Sequence, residues 1–192
     1  MDTVTDDDLI LMYGQGDAEA FEVLFDRYHT SVYNFARTML GSADGAAEEV
    51  MQETFLAVAH AAGQYAPRGQ FRSWLMRIVR NRCLNRIQSQ RLRQGLLARG
   101  GPDVAELACH EPTPPRRAEA AEQAAVVRAA IADLPDRQRE AIALYAFEEL
   151  TYRQIAGILD MPINTVKTLI HRARAALAQS LEKVVKEQKG EL

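Results

Sequence analysis

The sequence predicts an all-α protein, built as two small helical domains joined by a flexible linker. Three observations carry this. Ala, Leu, Arg, Glu and Gln dominate the 192 residues and β-branched runs are few, a balance that favours helix over strand. Apolar residues recur at three- and four-residue spacing in two long stretches, the period of helices with one buried side. Between those stretches, residues 95–120 lose that period and gather Gly95, Gly100, Gly101, Pro102, Pro112, Pro114 and Pro115, the composition of a tether. The expected boundaries are a first domain at 1–94, a linker at 95–120 and a second domain at 121–192.

The elements follow in order. Asp6, Asp7 and Asp8 can cap and favourably charge the start of a first helix. Asp17 begins a second, whose apolar stripe is Phe21, Leu24, Phe25, Tyr28, Val32, Phe35, Ala36 and Leu40, and Gly41 ends it. Asp44 starts a third, with Val50, Met51, Thr54, Phe55, Ala57 and Val58 as its buried side. Residues 63–69, from Gly63 through Pro67 to Gly69, form a loop. A fourth helix begins near Gln70 and carries Phe71, Trp74, Leu75, Ile78, Val79, Leu84 and Ile87, with helical structure ending at about Arg93.

The second domain runs from about Glu122 to Glu187. It includes a helix opened by Leu134-Pro135-Asp136, with proline in its first turn. Thr151 and Gln154 form a capping-box pair, so another helix starts at Thr151 and passes through Ile155, Ala156 and Leu159. Residues 160–163 make a short turn, and Asn164 or Thr165 caps a last long helix. Two helices joined by a turn of about four residues make this domain a helix-turn-helix.

Composition excludes several classes. Apolar residues are 47% and charged residues 26%, which suits a globular chain with a core. The two cysteines, Cys83 and Cys109, form neither a CxxC pair nor a ligand-spaced cluster with the four histidines, so no disulfide framework or metal site is expected. The start, MDTVTDDDLI, is acidic, unlike a signal peptide, and no apolar run reaches membrane-span length. A cytoplasmic, soluble protein without membrane insertion is the expectation.

Net charge is −3, but its distribution says more. Residues 1–53 hold twelve acids and two bases; residues 54–102 hold nine arginines and no acid. Residues 103–163 hold eleven acids and six bases, and residues 164–192 six bases and three acids. Two basic segments alternating with two acidic ones point to two nucleic-acid contacts on a body that also has other surfaces.

Three constellations carry candidate function. In residues 151–177, Ile155, Ala156, Leu159, Ile163, Val166 and Ile170 can form the core between two helices. The second helix then presents Lys167, Thr168, His171 and Arg172 near its N-terminus, residues suited to reading a major groove. Arg174 and Lys183 lie further along and reach only phosphates. The bland alternative is a helical hairpin with a solvated basic face.

In residues 71–87, Arg72, Arg77, Arg80, Asn81, Arg82 and Arg86 lie mostly off the apolar side. With the preceding Gln64–Gly69 loop, including Tyr65 and Arg68, this helix could hold an unstacked base while arginines follow phosphates. Trp74 is either core or a stacking platform, and Arg77 either a phosphate contact or the partner of an acid. In residues 48–56, Glu48, Glu49, Gln52, Glu53 and Leu56 offer an acidic face to a basic protein, or simply to solvent. No catalytic set is visible, no phosphate-binding glycine loop or HExxH, and no cofactor is implied. Cys83 sits mid-helix among arginines, which can lower a thiol pKa.

Four stretches, DAEAFEVLFDRYHTSVYNFARTML, EEVMQETFLAVAH, FRSWLMRIVRNRCLNRI and LPDRQREAIALYAFEELTYRQIAGILDMPINTVKTLIHRARAAL, resemble domains two and four of the extracytoplasmic-function (ECF) sigma factors. The resemblance implies a non-enzymatic subunit that binds core RNA polymerase through its β′ and β subunits and directs it to promoter DNA. Domain 1–94 would melt and recognise the −10 element, and domain 121–192 would recognise the −35 element. Glu48, Glu49, Gln52, Glu53 and Leu56 would bind the β′ coiled coil. The Gln64–Gly69 loop, with Tyr65 and Arg68, and Asn81 would capture a flipped non-template base. Arg77 and Arg80 would contact its backbone. Lys167, Thr168, His171 and Arg172 would read the −35 bases, with Arg174 beside them.

An anti-sigma factor is a further implied partner, and the linker would pass near the polymerase active centre and RNA exit channel. Asn164 stands where the family commonly has glycine, and asparagine tolerates a left-handed backbone there. Leu169 replaces a frequent basic residue, and Asp44-Gly-Ala-Ala is looser than the family pattern. A helix-turn-helix regulator outside the polymerase is the alternative; it leaves the arginine-rich segment idle. An enzyme is a third reading, for which no catalytic cluster is found.

Overall fold

The computed structural model describes residues 4–41, 45–97, 126–127, 129–148 and 150–190. It is helical, with no strand among the described residues, and divides into two compact units, Met1–Glu106 and Leu107–Leu192. The greater part of the expected linker, residues 98–120, and the expected start at Asp44 lie outside the described residues.

The first unit holds α1 (Asp6–Gly14), α2 (Ala18–Leu40), α3 (Ala46–Ala61), a short 3-10 turn (Ala62–Gln64) and α4 (Phe71–Leu97). The N-cap of α1 is Thr5; all three aspartates lie in its first turn, and Asp8 is the one that joins the capping contact. The Thr5 hydroxyl accepts from Asp8 N–H, and the Asp8 carboxylate accepts from Thr5 N–H, a reciprocal capping box. Asp17 caps α2 by accepting from the Glu19 and Ala20 amides, and Gly41 ends it at φ 78, a left-handed conformation that glycine adopts without strain. Helix α3 starts after Gly45 with no side-chain cap. Helix α4 continues to Leu97, past the expected end at Arg93.

Helix α2 packs against α1, α3 and α4. Ile10, Leu24, Val32, Phe35, Leu75, Val79 and Cys83 are fully buried in the core so formed. Each large apolar side chain buried this way contributes about 1.5–3 kcal/mol. Tyr13, Phe21, Phe25 and Phe55 tie α1, α2 and α3 together at one edge, with ring centroids 4.6–6.2 Å apart.

The second unit has helical residues at 126–127 and 129–132, then α5 (Asp136–Glu148), α6 (Tyr152–Leu159) and α7 (Ile163–Gly190). Pro135 stands just before α5, and its carbonyl accepts from Gln138 and Arg139. Arg139 also binds the Ala132 and Leu134 carbonyls at 2.8 and 2.9 Å, so it staples the turn that leads into its own helix. Helix α7 packs on α5 and α6. Leu144, Ile155, Val166, Ile170 and Ala173 make up the centre of that contact.

Candidate nucleic-acid and partner interfaces

Helix α3 displays a single exposed stripe. Val50, Thr54, Phe55 and Val58 take the buried side, so Glu48, Glu49, Gln52, Glu53 and Leu56 face solvent together. Leu56 is 60% exposed, an apolar side chain set among carboxylates. The stripe also meets α4: Arg86 lies 2.5 Å from Glu49 and Arg82 3.5 Å from Glu53. Both pairs are open to solvent and are worth at most about 1 kcal/mol each. Their consequence is directional, because they turn two arginines of α4 towards α3.

The arginines of α4 therefore divide. Arg80 is buried, at 9% exposure, which corrects the expectation that it follows a phosphate backbone. Its neighbours at i−4 and i+3, Met76 and Cys83, are fully buried, and position 80 shares their side of the helix. Arg72 is exposed, with its guanidinium 5.5 Å from the centre of the Tyr28 ring. Arg77 is exposed and shares one outer strip with Asn81, Asn85 and Gln88. Asn85 and Gln88 did not stand out in the sequence; spacing of four and seven or eight residues from Arg77 and Asn81 is the signal that would have found them. Trp74 is half-buried and packs on Tyr65 and Phe71, with centroids 4.9 and 5.7 Å away. It joins the loop to the helix.

The loop before α4 is held by α1. The Tyr65 hydroxyl donates to Asp7 at 2.8 Å, and the Gly69 and Phe71 amides donate to the same carboxylate at 2.6 and 3.3 Å. Burial pushes the Asp7 carboxyl up, but these hydrogen bonds and one from the Arg68 backbone outweigh it, and its pKa lies below the usual 3.8. Tyr65 is pushed above its ordinary value by burial and by its bond to Asp7. Gln64, at the end of the 3-10 turn, and Arg68 remain exposed beside this anchored backbone. Asp6 faces α2 instead, paired with Arg27 at 2.7 Å and accepting from Tyr28.

In the second unit, Thr151 and Gln154 make the expected capping box, with Gln154 N–H to Thr151 Oγ1 at 3.3 Å and Thr151 N–H to Gln154 Oε1 at 2.9 Å. The turn departs from expectation in two places. Its left-handed residue is Asp160, at φ 53 and ψ 54, not Asn164. The Met161 amide returns to the Ala156 carbonyl at 3.0 Å, closing the end of α6. Helix α7 then begins at Ile163, with the Pro162 carbonyl accepting from Thr165 and Val166.

Asn164 and Thr165, expected as caps, thus belong to the first turn of α7 and are exposed. Proline before a helix is the signal that points to this earlier start. Ile163 is 38% exposed and leaves the expected core; Ile158, not anticipated, is buried in its place.

With Val166, Ile170 and Ala173 turned inward, α7 exposes Lys167, Thr168, His171 and Arg172. They share one outward face with Asn164, at three- and four-residue steps from the helix start. Thr168 also returns its hydroxyl to the Asn164 carbonyl at 2.9 Å. Arg174 points elsewhere: its guanidinium lies 4.6 Å from the centre of the Tyr145 ring, and Tyr145 stacks on Tyr152.

Among the described residues, no group of His, Cys, Asp and Glu could hold a metal ion, and no helix is long and apolar enough to cross a membrane.

Residues 24–93 match the family model described as Sigma-70 region 2, and residues 124–177 match Sigma-70, region 4. The ECF RNA polymerase sigma factor SigW of Bacillus subtilis is 30% identical over 172 residues, 87% of this chain and 91% of SigW. The chain belongs to the ECF RNA polymerase sigma factors. As a sigma factor it directs RNA polymerase to promoters at transcription initiation, and it binds DNA through a helix-turn-helix. Sigma factors are initiation factors rather than catalytic enzymes. The reading as a regulator outside the polymerase is not favoured, because it leaves the region 2 match without a task.

Two solved structures resemble this sigma factor along its length. CnrH in complex with the cytosolic domain of CnrY has a TM-score of 0.69 and 26% identity, covering 93% of this chain and 97% of CnrH. The sigma factor RpoE with the anti-sigma factor NepR, from Bartonella quintana, has a TM-score of 0.67 at 22% identity, covering 86% and 98%; that likeness speaks for the fold alone.

Proposed function

We propose that this sigma factor divides its task among three surfaces, two for promoter recognition and one for docking on the core enzyme. The outward face of α7, with Lys167, Thr168, His171 and Arg172, reads the −35 element in the major groove. Arginine and lysine there can donate to guanine and histidine or threonine to either base type. The 65–70 loop with Gln64, Arg68, Arg77 and Asn81 receives the non-template −10 strand. An exposed strip of one arginine and three amide side chains suits bases and sugars as well as phosphates, which fits a single strand better than a purely cationic groove. Arg80 has no place in that contact. Arg174 braces Tyr145 first and can add only a phosphate contact.

The acidic stripe of α3, with Leu56 at its end, docks on the core enzyme at the β′ coiled coil, with the β subunit contacted elsewhere. An apolar anchor at the end of an acidic stripe matches a basic helical partner. An anti-sigma factor is a further partner of this chain; the support is that CnrH, its 26% identical structural relative, was solved with the cytosolic domain of CnrY.

The observation that carries the reading is the outward face of α7. It presents hydrogen-bonding side chains over the first turns of a helix whose other side is wholly committed to α5 and α6. The test is direct. Core RNA polymerase plus this protein should transcribe from a subset of promoters that core alone ignores. Failure to co-elute with core polymerase would remove the polymerase-subunit assignment.

A further inference from the structure

Three consecutive carboxylates at the start of α1 do three different things. Asp8 completes the capping box of its own helix, Asp6 pairs with Arg27 and Tyr28 of α2, and Asp7 reaches across to the loop before α4. The last contact answers a need that the sequence creates. Residues 54–102 contain no acid, so the start of α4 has no carboxylate of its own for its first amides. Asp7 supplies one from 64 residues away, accepting from the Phe71 amide, while its other oxygen takes the Gly69 amide. Gly69 is left-handed, at φ +64, so the amide is presented by a backbone shape that few residues tolerate. The Tyr65 hydroxyl completes the set, and the Tyr65 ring is packed on Trp74 and Phe71.

We propose that Asp7 is a positioning residue for −10 recognition: its carboxylate locks the 65–70 loop to α4, so that the loop meets the melted strand already shaped to receive a base. This rests on the assignment of that loop to the −10 strand. The consequence is that the ordering of a glycine- and proline-containing loop is completed in folding and not charged against promoter opening. Asp7 itself touches no DNA; it acts through Tyr65, Gly69 and Phe71.

The experiment uses holoenzyme reconstituted with the full chain carrying Asp7→Asn. Two readouts are followed: permanganate reactivity of unpaired thymines in the −10 region, and transcription from promoters with each −10 base varied in turn. Asparagine keeps the volume but sets an amide donor against donors. Promoter opening should fall about tenfold or more, the loss expected for one or two charge-assisted hydrogen bonds. Preference among −10 bases should flatten, a change that reduced stability alone does not produce. Asp6→Asn, which removes a neighbouring contact of the same helix, should leave the base preference intact. If Asp7→Asn folds poorly, Tyr65→Phe keeps the ring packing, removes the one side-chain donor named here and should show a smaller effect of the same kind.

Asn81→Ala is measured in parallel. If it flattens the −10 preference and both loop variants do not, the positioning role is overturned while the −10 assignment stands. If none of them changes the preference, the −10 assignment falls and the positioning role with it.

Discussion

Helices α4 and α7 both looked like basic, DNA-facing helices, but they use their charge in different ways. In α4 the arginines are largely absorbed by the fold: Arg80 is buried, Arg82 and Arg86 face the carboxylates of α3, and Arg72 lies over Tyr28. In α7 fewer basic residues are present, yet Lys167, His171 and Arg172 stand clear on one outward face. The lesson is that charge counted along a sequence is not charge offered to a ligand. Two of the nine arginines in an acid-free segment, Arg82 and Arg86, take their counterions from α3, because a basic face packed beside an acidic one lowers the energy of both. A helix whose opposite side is filled by Val166, Ile170 and Ala173 has no ion pair on its outer side among the described residues.

The contrast can be broken most severely at Arg80. Arg80→Ala should lower the unfolding free energy by about 2–4 kcal/mol, the range for emptying a packed core position, whereas Arg77→Ala should leave the thermal midpoint nearly unchanged. Equal, small effects by denaturant titration would return Arg80 to the surface. At the other helix the order reverses. Arg172→Ala should leave stability intact and cost about 1–3 kcal/mol at one −35 base pair, measured by holoenzyme binding to promoters mutated base by base.

A smaller effect tests how far unit 1 ties up its own polar groups. The Tyr28 hydroxyl, pushed up to about 12 by burial and then by its bond to Asp6, should stay protonated well above its usual value. Its folded pKa is raised, so its contribution to stability is complete below pH 10 and is lost as pH rises towards about 12. Tyrosinate absorbance against pH, with Asp6→Asn for comparison, should show the midpoint move down. The smallest effect belongs to Glu53 and Arg82: a double-mutant cycle should return a coupling below about 1 kcal/mol that fades with added salt.

Local features were legible in the sequence. Asp17 and Gly41 at the ends of α2, the Thr151–Gln154 box, and the buried stripes of α2 and α3 rest on contacts within a few residues, which pattern and capping chemistry report. The exposed set Lys167, Thr168, His171 and Arg172 was legible for the same reason. What escaped depends on partners far away or on a competing signal close by. Asp7 finds Tyr65, Gly69 and Phe71 at separations of 58 to 64 residues, and no spacing rule announces that. Arg80 sits among arginines, and only its position relative to Met76 and Cys83 tells it from Arg77. Asn164 looked like a cap or turn residue on composition, but Pro162 opens the helix first and Asp160 takes the left-handed conformation.

The most direct test of the central claim is transcription from a promoter library randomised at both elements, by holoenzyme carrying wild-type protein, Arg172→Ala or Asn81→Ala. The account predicts that Arg172→Ala shifts base preference only in the −35 element and Asn81→Ala only in the −10 element. Preferences that shift in the same element, or in neither, would contradict it.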